Sequence, residues 1–276
     1  MRYYYLIAGL PDIQLEDPKG VSTMDALKTD LEEQLSDEDM KLLNLIYAKY
    51  DNRNLLFYLQ NKDAELNPLG ALKADDWKEL VSLMEESEQP KDSRLLPYIP
   101  DYYQAYKDEN VSFNGISDED YLAGLYYEYA MQNNNEFLHN WFEFNLNINN
   151  LLAAIACRKY GFEPQQYIIG NNEIAQILRK SNARDFGLTG IFDELDAVVK
   201  ISEESNLLSR EKQIDELKWN WLEEHTFFDY FTIERVLSFV LKCELINRWK
   251  PLTQEKGTKI FRELLDSLKE DVRFDE

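Results

Sequence analysis

The 276-residue chain carries 52 Asp and Glu against 30 Lys and Arg, a formal charge of −22 at pH 7. Such a field repels phosphate backbones and anionic lipid, which argues against general nucleic-acid binding and direct lipid insertion. Hydrophobic residues at 44% and aromatics at 13% support packed cores and exclude wholesale disorder; no apolar run approaches the ~18 residues of a spanning helix. Tyr3 to Leu10 makes a poor signal peptide, because it follows a single Arg and stops at Pro11-Asp12. Two widely separated cysteines, Cys157 and Cys243, point to a reducing compartment. The composition reads as an acidic cytoplasmic protein.

In chain order the elements are helices nearly throughout, and the fold class is all-α. Ser36-Asp-Glu-Asp39 supplies an N-cap and an acidic first turn for a helix from Met40 to about Leu59, with Leu43, Tyr47, Tyr50 and Phe57 at helical spacing. After the breaker Asn67-Pro-Leu-Gly70, a second helix runs from Ala74 or Asp75 to about Glu86. Gln89 to Pro100 holds three prolines and reads as a connector. Ser117-Asp-Glu-Asp120 starts a Tyr-rich helix, and a long helix follows from Asn135 to Tyr160, stopped by Gly161 and Pro164. Further helices are expected at Gln165 to Arg179, Gly190 to Val199, Ser209 to Glu224, Thr232 to Trp249 and Thr253 to Lys269, with Gly187-Leu-Thr-Gly190 as a turn. Only Tyr3 to Leu10 and Gln166 to Ile169 have strand-like composition.

No motif for chemistry emerges. His139 and His225 are the sole histidines, and His225 has no second ligand at a zinc spacing. Glu136 and His139 form one E-x-x-H step, where a di-metal helical bundle needs two. Phosphate-binding glycine loops and the G-x-S-x-G elbow are absent. We therefore expect no catalytic, cofactor-binding or metal-ligating residue.

Internal repetition is the informative signal. Asp51-Asn-Arg-Asn54, Asn147-Ile-Asn-Asn150 and Glu244-Leu-Ile-Asn247 each place an acid or Asn one helical turn before an Asn, at near-equal intervals. Each Asn continues an apolar stripe: Leu43, Tyr47 and Tyr50 before Asn54; Phe142 and Leu146 before Asn150; Val236, Val240 and Cys243 before Asn247. A buried amide needs partners, since an unsatisfied one costs about 1–3 kcal/mol. The immediate role expected for each is a hydrogen bond to a neighbouring segment, one packing solution used three times. Asp51, Asn54, Asn147, Asn150, Glu244 and Asn247 are thus repeat-defining structural residues.

The segments Phe144 to Gly161 and Ile233 to Trp249, with the Asn steps and the opening Met1-Arg-Tyr-Tyr-Tyr-Leu-Ile-Ala-Gly-Leu-Pro11, resemble the C-subunit family of V-type (A-type) ATPases, the d-subunit family in eukaryotes. The likeness runs by way of an uncharacterised bacterial family encoded beside V-type ATPase genes. It implies three pseudo-repeats of helix pairs, roughly 1–100, 101–200 and 201–276, forming one funnel-like, three-lobed body. It also implies a non-catalytic member of the central stalk, without cofactors, peripheral on the cytoplasmic side of the membrane. Its partners would be the rotor shaft and the proteolipid ring. Trp141, Phe142, Trp219 and Trp221 are then either interface anchors or core. The alternative is a helical-repeat scaffold for a soluble protein partner.

Overall fold

Side-chain caps start most of the helices. Ser36 and Ser117 accept the N–H of Asp39 at 3.3 Å and Asp120 at 3.1 Å, and each hydroxyl donates to that aspartate's carboxylate at 2.8 Å. Thr23, Asn135 and Asn172 cap in the same way, accepting from Ala26, Leu138 and Ala175. The computed structural model describes residues 2–17, 20–88, 90–108 and 115–251. Among them the chain is all-α, with eleven helices and no strand beyond an isolated bridge between Gln14 and Asp17. The helices are α1 (Tyr4–Gly9), α2 (Met24–Glu32), α3 (Asp37–Gln60), α4 (Ala74–Glu86), α5 (Tyr98–Lys107) and α6 (Asp118–Ala130). They continue with α7 (Glu136–Tyr160), α8 (Glu173–Lys180), α9 (Leu195–Ser202), α10 (Leu207–His225) and α11 (Ile233–Asn247).

Several boundaries differ from expectation. Tyr4–Gly9 is helical despite its strand-like composition. Helix α5 begins inside the Pro-rich connector, because Pro97 and Pro100 occupy the N-cap and first turn, where no intrahelical N–H is needed. Gln165 to Arg179 is not one helix: a 3-10 turn (Pro164–Gln166) is followed by a non-helical stretch, and α8 starts only at Glu173. The helix expected from Gly190 starts at Leu195. Helix α2, unforeseen, buries Met24, Leu27 and Leu31 on one face. The helix expected over Thr253 to Lys269 lies outside the described residues.

The chain divides into two compact units, one of Met1–Gln34 with Trp219–Glu276 and one of Leu35–Lys218. In the larger unit α6 packs on α3, α5 and α7, and α7 also receives α8 and α9. Tyrosines fill much of the α3–α5–α6 junction: Tyr126 donates to the Leu45 carbonyl at 2.8 Å, and Tyr98 to Asn52 Oδ1 at 2.6 Å. Burial pushes the Tyr98 and Tyr102 hydroxyls far above the usual phenol range, so both stay neutral hydrogen-bonding or packing groups. Helix α7 ends at Gly161, whose φ of 73° is the left-handed cap that a residue with a Cβ adopts only at a cost; Phe162 N–H then reaches back to the Cys157 carbonyl at 2.9 Å. The smaller unit packs α11 on α2. There Thr226 donates to the Leu222 carbonyl at 2.7 Å and to Ser238 Oγ at 3.3 Å, pinning the end of α10 to α11.

Candidate functional site

Asn54 is fully buried on α3 and faces the loop that leads to α4. Its Nδ2 donates to the Asn67 carbonyl at 3.0 Å, and its Oδ1 accepts the Asn67 N–H at 2.7 Å. One side-chain amide thus pairs with both polar groups of a single backbone residue, as a neighbouring β-strand does. Asn150 on α7 does the same with Ile169: Nδ2 to the carbonyl at 2.8 Å, N–H to Oδ1 at 3.0 Å. One turn earlier, Asp51 accepts the N–H groups of Ala71 and Leu72 at 2.9 and 3.0 Å, while Asn147 accepts from Asn172 Nδ2 at 2.8 Å. In both places a long helix clasps the loop that starts the next short helix.

In the smaller unit Asn247 donates to the Ser22 carbonyl at 3.1 Å and to the Cys243 carbonyl at 2.8 Å. Lys250 adds a hydrogen bond to the Val21 carbonyl at 2.8 Å. The held loop is again the one that starts a short helix, here α2. Glu244 stands half-buried one turn before Asn247. Five of the six repeat-defining residues, Asp51, Asn54, Asn147, Asn150 and Asn247, therefore hold three different loops and are not gathered at one site.

Close approach of backbone marks two of the held loops. A Cβ at Gly70 would lie 2.5 Å from Asn54 Nδ2 and 2.7 Å from Asp51 Oδ1. Gly170 has a φ of +71° and a Cβ there would meet Leu146 Cδ2 at 2.9 Å. Arg179 further tethers the second loop by donating to the Ile168 carbonyl at 2.9 Å and to the Gly170 carbonyl.

A pocket of about 760 Å³ opens in the larger unit, walled by Leu42, Ala48, Trp77, Leu96 and Ile99 with Asn52 and Asp51 at its polar side. Its carboxylates are committed: Asp51 to the loop N–H groups, Asp76 to Arg94 at 3.0 Å and to the Lys73 N–H at 2.9 Å. His139 Nδ1 meets the Met131 carbonyl, and its Nε2 lies 3.8 Å from Glu143. His225 stacks on Trp221 with ring centroids 3.8 Å apart. No cluster of three or more His, Cys, Asp or Glu among the described residues has the arrangement to hold a metal ion. Cys157 and Cys243 are free and buried, and burial pushes the Cys243 thiol up to about 12.

Trp141, Phe142 and Trp221 are core residues, and Trp219 is half-buried with Lys242 Nζ 5.1 Å from its ring. Lys242 is itself buried and pairs with Glu223; burial lowers its pKa, and the carboxylate opposes that shift. Exposed aromatics lie elsewhere: Phe57, Tyr160, Phe162 and Tyr167 in the larger unit, and Tyr4, Tyr5 and the turn residues Phe227, Phe228, Tyr230 and Phe231 in the smaller one. Sequence reasoning missed the turn residues, although four aromatics within Phe227-Phe-Asp-Tyr-Phe231, between two amphipathic helices, were a visible signal.

The fold and these contacts define an all-α protein whose long helices hold neighbouring loops through side-chain amides. The chain belongs to a family described as "Protein of unknown function (DUF2764)", which matches residues 1–272. No curated protein and no solved structure matches it.

Proposed function

We propose that this protein is a non-catalytic part of the central stalk of a V-type rotary ATPase, a socket that couples the rotor shaft to the membrane proteolipid ring. The observation that supports the reading is the recurrence of one device, a helical Asn holding the loop before a short helix, at Asn54, Asn150 and Asn247. Recurrence of that kind suits a body of three helical pseudo-repeats, the architecture implied by the resemblance to the V-type socket family. The protein would perform no chemistry of its own, and torque would pass through rigid helices. No helix among the described residues is long and apolar enough to cross a membrane, so attachment would be peripheral and through the proteolipids.

The test is an affinity pull-down of the tagged protein from detergent-solubilised native membranes, with partners identified by mass spectrometry. Near-stoichiometric recovery of V-type catalytic, shaft and proteolipid subunits is expected. Recovery of soluble partners alone, with the protein absent from membranes even at low salt, would overturn the proposal in favour of the scaffold alternative.

A further inference from the structure

The turn between α10 and α11 displays its aromatic rings outward from a braced backbone. Thr226 fixes its base through the buried hydrogen bonds to Leu222 and Ser238. Asp229 N–H donates to the Thr226 carbonyl at 3.1 Å and Tyr230 N–H to the Phe228 carbonyl at 3.2 Å. The far end is held by Tyr3 N–H on the Phe231 carbonyl at 2.8 Å. On this frame Phe227 and Phe228 meet edge to face, with centroids 5.0 Å apart, and Phe231 lies 4.6 Å from Tyr4. Phe228 is 81% exposed and Tyr5 96% exposed. Contiguous exposed aromatics of this size mark an interaction surface, because a monomer gains nothing from holding them in water.

Charge decides the kind of partner. The turn and its flanks carry Glu224, Asp229 and Glu234, with Arg235 and Arg2 as the nearby cations, and Arg2 is engaged with the Tyr4 hydroxyl at 3.0 Å. Burial, with the neighbouring Glu234, raises the Asp229 pKa, which an arriving cation would reverse. Aromatic faces also attract ammonium and guanidinium groups. A second copy would bring another chain of net charge −22, and anionic lipid would be repelled for the same reason. We propose that Tyr4, Tyr5, Phe227, Phe228, Tyr230 and Phe231 form the docking surface for a basic, amphipathic segment of a partner protein.

The probes are two short helical peptides with one leucine pattern, the first with lysine and the second with glutamate at every polar position. Binding to the full chain is followed by fluorescence anisotropy at low and high salt. The Leu/Lys peptide should bind at least about tenfold more tightly than the Leu/Glu peptide. Joint Phe228→Ser and Tyr230→Ser substitution should weaken it by about tenfold or more with the melting temperature unchanged, since both rings are exposed. Asp229→Asn should flatten the salt dependence. Four results would overturn the inference: equal binding of both peptides; binding indifferent to the serine substitutions; self-association abolished by them; or, abolished by them, co-sedimentation with phosphatidylcholine–phosphatidylglycerol vesicles. A failed pull-down with peptide binding intact would remove the rotary reading and leave this one.

Discussion

Replacing Asn150 by alanine isolates what the amide bridge contributes. The substitution deletes the 2.8 and 3.0 Å hydrogen bonds and strands both polar groups of Ile169. Two net hydrogen bonds are worth about 1 kcal/mol each, and an unpaired buried group costs about 1–3 kcal/mol. Ile169 is half-buried, so water relieves part of that second penalty, and the expected loss is about 2–4 kcal/mol. Asn149→Ala on the same helix is the control, because Asn149 is exposed with one 3.5 Å contact to Tyr127; it should stay within about 0.5 kcal/mol of wild type. Urea unfolding monitored by tryptophan fluorescence gives the magnitude, with Trp141 on the same helix as one reporter. With two compact units present, hydrogen exchange at the Ile169 amide localises the effect. Asn150→Asp sharpens the test. The buried carboxyl can donate to the Ile169 carbonyl only when protonated, so its folded pKa rises above the unfolded value. Its deficit against wild type should therefore be smallest near about pH 4 and grow as pH rises through the folded pKa. An alanine variant as stable as the Asn149 control, or an Ile169 amide equally protected in both, would refute the reasoning.

Gly70→Ala should lower the melting temperature, since the new Cβ collides with both Asn54 and Asp51; a cost of about 1–3 kcal/mol is expected, with exchange of the Asn67 amide rising in parallel. Gly170→Ala should cost at least as much, because left-handed backbone strain adds to the contact with Leu146. For the Lys242–Glu223 pair, Lys242 is only 6% exposed by side chain and Glu223 50%. Glu223→Gln should destabilise by about 1–2 kcal/mol by leaving a buried cation unpaired, while Lys242→Met should stay within about 1 kcal/mol of wild type or exceed it. A lysine with a lowered folded pKa binds fewer protons folded than unfolded. Wild type should therefore gain stability relative to Lys242→Met as pH rises toward the unfolded value, measured by urea titration at stepped pH.

Capping chemistry was the most legible part of the sequence. Ser36, Ser117 and Asn135 announce their helices by side chains that bond within three residues, and Gly161 announces a stop. The stripe positions of Asn54 and Asn150 were legible as buried for the same periodic reason, yet their partners were not. Nothing local to Asn150 selects Ile169, and residues 167–172, which Asn150 ties at Ile169 and Arg179 ties at Gly170, stay outside the expected helix. Helix α5 was hidden by prolines whose cost vanishes in a first turn. The outward-facing aromatics stayed hidden because apolar content normally signals a core, and exposure is a property of the folded surface.

Asn247 and Ser22 are 225 positions apart, and the loop they join leads into α2. A ribosome adding ~5–20 residues per second needs on the order of 10–50 s to pass from one to the other. Through that interval Met24, Leu27 and Leu31 have emerged without α11 to cover them, while the larger unit, continuous from Leu35 to Lys218, can condense as it appears. The smaller unit can therefore close only after α11 has been made, and until then the apolar face of α2 has no partner from that helix.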